Sequence, residues 1–145
     1  MCKDSFRCLM CYLFLLVCLT LSGCDRGVSG QWEGEMSYAG VAIDYRSGRQ
    51  EDISDSFDIE MSLHEDGESV TGTVYFRVVP HTITEGTISG DRLKLLTTHD
   101  ASGVRLPHTF TGTLEGDTIE GEVQCYMRRY DEAVYTLGSF SVTRQ

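Results

Sequence analysis

Phe110-Thr111-Gly112-Thr113-Leu114-Glu115-Gly116-Asp117-Thr118-Ile119-Glu120-Gly121-Glu122-Val123 is the stretch on which the fold turns. Apolar and polar residues alternate on both sides of Gly116-Asp117, the period of a half-buried strand. A glycine-acid pair between two such runs signals a two-residue hairpin, because those turns need a residue at positive φ. Counting outward from the turn sets Leu114 opposite Ile119 on one face, with the polar residues between them on the other. Gly90-Asp91 does the same for Ile88 and Leu93, and Asp66-Gly67 for Leu63 and Val70.

Carried along the chain, alternation places strands at about Gln31 to Gly40, Ser56 to Glu65, Ser69 to Val79, Ile83 to Ser89, Arg92 to His99, Pro107 to Glu115, Thr118 to Met127 and Tyr135 to Arg144. From Cys24 on, only two prolines, many glycines and no stretch of ten or more residues with apolar positions at helical spacing make the chain all-β. Eight strands in roughly 115 residues predict an eight-stranded antiparallel up-and-down barrel.

Two residues beyond the facing pairs, Gly34, Gly72, Gly86, Gly112 and Gly121 fall on the inward face, with Met61, Leu95 and Phe140 from the other strands. Two readings are open. The glycines let strands coil tightly enough to close a narrow barrel, or they leave room for a ligand.

Gly30-Gln31-Trp32 at the first strand resembles the Gly-x-Trp of the lipocalin-like, or calycin, proteins, and Arg144 in the last strand stands where their Arg packs on that Trp. The resemblance covers one amino-terminal motif and one carboxy-terminal residue. It implies that Trp32 closes one barrel end with Arg144 stacked on it, a structural pair. With Trp32 at the closed end, the three tight turns share that end. The longer connections, Gly40 to Asp55, Val79 to Thr82, Asp100 to Leu106 and Arg128 to Val134, then surround an open mouth, with Ser47-Gly48 turning a projecting hairpin.

Ahead of the barrel, Lys3 and Arg7 form a positive segment, and Cys8 to Leu21 is an apolar run of secretory rather than membrane-spanning length. Leu21-Ser22-Gly23-Cys24 follows and resembles a bacterial lipobox. That likeness implies cleavage of residues 1–23 and acylation of Cys24 with chains such as palmitate, each buried CH₂ contributing about 0.8 kcal/mol to membrane attachment. An ordinary cleaved signal peptide or a retained anchor are the alternatives, and both also export the domain. Residues 24–31 then form a short tether of at most ~25 Å and residues 32–145 the barrel. Asp25 resembles an inner-membrane retention signal, so the expected address is the cell envelope with the inner membrane slightly favoured over the outer, and the domain facing the periplasm or the exterior.

The mature chain has 12 basic residues less Lys3 and Arg7, and 22 acidic residues less Asp4, a formal charge of −11. Such a balance opposes nucleic acid and anionic headgroups. Cys125 is the only cysteine left beside Cys24, so no internal disulfide is expected.

Inward parity near the mouth selects Tyr38, Phe57, Phe76, Val78, Thr84, Thr97, His99, His108, Phe110, Cys125, Met127 and Tyr135. Of these, Tyr38, Phe57, Phe76, Thr97, His108, Phe110 and Met127 are candidate ligand contacts, mostly apolar and aromatic. The register sets His108 opposite Cys125 with His99 nearby, a donor set suited to Zn²⁺ or copper if Asp100 or water completes it. The alternative is two rim histidines beside a small buried thiol. Arg46, Arg49, Arg128 and Arg129 near the mouth are interleaved with carboxylates, as in a solvated rim. No nucleophile motif, phosphate loop or basic aromatic stripe is present, so the expected protein is not an enzyme and needs no cofactor. Its partners are expected to be the membrane through the lipid and either a small apolar ligand or an envelope protein, with the latter engaging the mouth loops over a filled barrel.

Overall fold

The computed structural model describes residues 27–101 and 104–145. The lipobox, Cys24 and Asp25 lie outside the described residues. Eight strands follow one another: β1 (Gly30–Asp44), β2 (Arg49–Asp66), β3 (Ser69–Phe76), β4 (Val79–Ser89), β5 (Arg92–Ala101), β6 (Val104–Glu115), β7 (Thr118–Arg128) and β8 (Glu132–Arg144). Each pairs antiparallel with the next, and β8 returns to β1 from Trp32↔Arg144 to Asp44↔Glu132, closing an up-and-down barrel of the lipocalin-like kind. Among the described residues there is no helix. The outer wall carries exposed Glu33, Glu35, Asp58, Glu60, Glu120 and Glu122, the reverse of the apolar band on a membrane-spanning barrel.

Three tight turns shape one end. Gly67, Gly90 and Gly116 stand first in two-residue turns at φ of 63°, 62° and 62°, where a glycine pays no Cβ penalty and matches the right-handed twist of the flanking strands. The pairs Ile88↔Leu93 and Leu114↔Ile119 form as read from the chain. The first hairpin does not. Its turn is Gly67-Glu68 rather than Asp66-Gly67, so Val70 pairs with Glu65 and Leu63 with Gly72. A two-residue slip keeps Leu63 and Val70 on the inner face, so hydrophobic patterning is blind to it. Placing glycine first, as in the other two turns, selects the register.

The glycine layer is occupied by backbone. A Cβ on Gly34, Gly72, Gly86 or Gly121 would overlap the carbonyl oxygen of Ser141, Ser62, Val70 or Thr111, respectively, and one on Gly112 would lie 2.9 Å from the Phe140 ring. The glycines therefore admit the close approach of neighbouring strands. Above and below them Trp32, Met36, Ile59, Met61, Val74, Leu93, Leu95, Phe110, Ile119 and Val142 are buried in one continuous core.

The Trp32 end is shut by a compact arrangement. The Arg144 guanidinium lies 4.3 Å over the Trp32 ring and donates to the Asp117 carboxylate at 3.0 Å and to the carbonyls of Ser29 and Gly27 at 2.5 and 2.6 Å. Trp32 Nε1 donates to the Val28 carbonyl at 2.9 Å, and the Val28 amide donates to Glu65 at 2.6 Å, with the Val28 side chain fully buried. Residues 27–29 are thus part of the barrel floor and not a free tether. Arg144→Ala is expected to lower stability by about 2–3 kcal/mol in urea titrations, and Arg144→Lys to recover little of it, because an ammonium cannot stack and serve three planar partners together. Equal stability of the Lys variant and the native chain would overturn this account.

Around the mouth the strands run further than alternation suggested. β1 and β2 stay paired to Asp44↔Arg49, leaving only residues 45–48 as a turn. Pairing reaches Phe76↔Val79 and Ala101↔Val104, and only residues 129–131 separate β7 from β8. The expected long loops are mostly strand, because backbone pairing with β1 holds residues such as Gln50 to Asp52 extended without any apolar face.

A bulge in β4 overturns part of the inward list. Ile83 pairs with Thr97 while Glu85 pairs with Leu96, so Thr84 is the extra residue and parity inverts there. His81 and Ile83 point in, and Thr84 is exposed. Val78 is 87% exposed because the β3–β4 turn falls at Arg77-Val78. Tyr135 points outward opposite Tyr126, since Thr136 is the residue that pairs with the inward Cys125.

Candidate ligand-binding cup at the barrel mouth

Above the filled core the mouth opens into a cup of about 430 Å³. Its wall includes Met36 and Tyr38 from β1, Ile53 and Phe57 from β2, Phe76 from β3 and Val134 from β8; His81, His99, His108 and Cys125 bring polar atoms to it. Other hollows, one at the closed end around Ser29, Glu68 and Arg144 and two along the outer wall, have more polar than apolar lining. Phe76 is the centre of the ring packing. Its ring stacks on His81 at 3.9 Å, meets His108 edge-on at 4.7 Å, and touches Phe57 and Phe110 at 5.7 and 6.0 Å. Tyr38 extends the row across Phe57 at 6.1 Å.

Phe76 takes this place because β3 ends there, in a two-residue turn whose first residue, Arg77, adopts φ 58° without being glycine. Left-handed backbone at a residue with a Cβ costs of order 1 kcal/mol. The Arg77 side chain spans the lip: its guanidinium lies 4.8 Å over Phe57 and bonds Asp55 at 2.8 Å. The pair is solvent-exposed and contributes little to stability.

Four titratable groups of the cup, His81, His108, Cys125 and Tyr38, are held uncharged. Burial, with smaller contributions from His108 and His99, lowers the His81 pKa to about 4. Burial also lowers that of His108 to about 4. The Cys125 thiol and the Tyr38 phenol are both pushed up, chiefly by burial. At neutral pH the cup therefore contains two neutral imidazoles, a thiol and a phenol.

Of the residues singled out from sequence, Tyr38, Phe57, Phe76, His99, His108 and Cys125 line the cup. Thr97, Phe110 and Met127 are buried and do not line it. His108 faces Cys125 in register, but His99 turns Nδ1 to the Pro80 carbonyl at 3.0 Å. Among the described residues no group of three His, Cys, Asp or Glu side chains is placed to hold a metal ion, and the Asp100 side chain lies outside them. The metal reading of His99, His108 and Cys125 is set aside on that geometry.

His81, at the centre of the ring cluster, was missed. The signal was present: Ile83 and Ile88 are five residues apart, an odd spacing that cannot put both inward on a regular strand. A bulge between them reconciles the two and carries His81 inside. No family model matches the chain, and no curated protein is significantly similar to it.

Proposed function

We propose that this chain is a membrane-anchored envelope lipoprotein, without catalytic activity, that binds a small hydrophobic or amphipathic molecule at the open end of its barrel. The observation that supports it is the aromatic-lined cup of about 430 Å³ at the one end of an otherwise filled barrel. Pockets that bury a small ligand are largely apolar, with few polar groups to orient it, and this lining has that character.

The anchor rests on the lipobox resemblance, and the fold adds geometry to it. Gly27 is already docked on the barrel floor, so Cys24 lies at most ~11 Å from the closed end. A lipidated Cys24 would hold the shut end at the bilayer and turn the cup away from it, towards solutes of the envelope space. Metabolic labelling with an alkyne palmitate should mark the native chain and not Cys24→Ser; equal labelling of the two would remove the anchor from this proposal.

For the cup, the neutral dye N-phenyl-1-naphthylamine should bind the Cys24→Ser chain saturably near one-to-one, with its fluorescence enhanced on transfer from water. Phe57→Asp at the rim should weaken it by at least about tenfold, since a carboxylate would have to be desolvated. Absence of saturable binding would overturn the ligand reading. Capture of an envelope protein is the second reading, favoured by Tyr126, Tyr135 and Leu137, which stand 58, 48 and 45% exposed together on the outer wall of β7 and β8.

A further inference from the structure

Just beneath the cup's surface lie polar atoms that packing does not explain. Among the described residues, His81 Nδ1, Thr97 Oγ1 and His108 Nδ1 are buried without a hydrogen-bond partner. They sit on three adjacent strands, with Thr97 paired to His108 in register and the His81 and His108 rings 5.3 Å apart. A buried polar group left unpaired costs about 1–3 kcal/mol. One layer further into the barrel the same strands place Ile83, Leu95 and Phe110, which carry no such cost. A barrel shaped for packing alone would continue that pattern to the mouth.

We propose that the cup recognises an uncharged aromatic ring bearing a hydrogen-bonding hydroxyl or carbonyl, a phenol-like ligand, seated among Tyr38, Phe57 and Phe76 with its polar edge towards His81 and His108. This rests on the ligand reading above and supplies its chemistry. The rings of the wall favour offset and edge-on contacts with another aromatic plane. Neutral imidazole offers one donor and one acceptor, a match for a group that can use either. Charge is selected against from both sides. Among the described residues no carboxylate lines the cup to meet a cation, and the lining guanidinium, Arg77, is already bonded to Asp55, which leaves a carboxylate ligand without a counter-charge from them in a strongly acidic protein.

The test is calorimetric titration of the Cys24→Ser chain with 2-naphthol, naphthalene and 2-naphthoate at neutral pH. 2-Naphthol is expected to bind one-to-one and at least about tenfold more tightly than either of the others, the equivalent of one satisfied buried hydrogen bond. In His81→Leu/His108→Phe that preference over naphthalene should vanish, with thermal stability equal or higher. Equal affinity for naphthalene and 2-naphthol in the native cup, or undiminished 2-naphthol binding by the double variant, would overturn the proposal while leaving an apolar cup. Tighter binding of 2-naphthoate would overturn it in favour of an anion site. No binding of any probe would overturn the ligand reading as well. Should the double variant fail to fold, the three-probe comparison on the native cup decides the matter.

Discussion

Gly34→Val is expected to abolish the cooperative fold. Gly34 lies at the β1–β8 seam that closes the barrel, facing Val142 on one side and Ile59 on the other. A Cβ there would overlap the Ser141 carbonyl and lie 2.7 Å from the Val142 Cα. Both obstacles are backbone, so relief requires separating the two strands. Breaking the seam also exposes two strand edges and uncovers the core behind them. The loss should be about 4 kcal/mol or more, a large share of a small domain's stability. Near-ultraviolet circular dichroism from Trp32 and the urea transition report it directly. Ser37→Val, which adds bulk outward on the same strand, should change stability by less than about 1 kcal/mol. A Gly34→Val chain as stable as the Ser37→Val chain would refute the close-approach explanation of the glycine layer.

Acid should destabilise the mouth well above the range in which carboxylates titrate. His81 and His108 have folded pKa values of about 4 against 6.5 when exposed. The unfolded chain therefore binds protons first as pH falls. The stabilisation is complete above pH 6.5, is lost progressively between 6.5 and about 4, and changes no further from these groups below that. Each imidazole contributes at most about 3 kcal/mol to this loss. Groups facing the pair do not supply a compensating charge: His99 is a further base, and the thiol of Cys125 and phenol of Tyr38 are held neutral. Urea midpoints measured down this range should fall steeply for the native chain and far less for His81→Leu/His108→Phe. Parallel slopes would show that the acid response originates elsewhere. By the same linkage, an uncharged ligand in the cup protects against acid and is released as the imidazoles protonate.

The two halves of the molecule differ in how openly the chain announces them. At the Trp32 end, each tight turn is signalled by a glycine beside an acid. Leu114 with Ile119 and Ile88 with Leu93 follow from two residues of turn chemistry. Even there, Asp66-Gly67-Glu68 offers two registers separated by two residues, and side-chain alternation tolerates both. At the mouth the local signals weaken. The residues from Gln50 to Asp52 lack an apolar face, so their own alternation does not reveal that they are strand; they are held extended by pairing with Val41 to Ile43, which β8 supports on its other side. In β4 one extra residue at Thr84 inverts every side chain before it, and its only trace is the mismatched spacing of Ile83 and Ile88.

The candidate site inherits that division. Tyr38, Phe57, Phe76 and His108 can be assigned to the mouth by parity because their strands are regular, and their types already suggest an apolar, aromatic cavity. His81 could not be so assigned, and with it the cluster of unpaired polar atoms stayed out of view. Thr97 and Phe110 share the inward face with the cup residues, yet sit deeper, because depth in a barrel depends on strand tilt and stagger as well as on parity.

Alternation, turn glycines and net charge are properties of short segments, so the chain alone specifies an acidic all-β meander with its inner and outer faces assigned. Whether the inside is hollow is a property of closure. Beside Gly72, Gly86 and Gly121 the space is taken by the backbone of a sequence-adjacent strand, and beside Gly34 by β8 only when the barrel closes; closure then leaves an aromatic-lined volume at the mouth, where, among the described residues, His81 Nδ1, Thr97 Oγ1 and His108 Nδ1 are buried without partners.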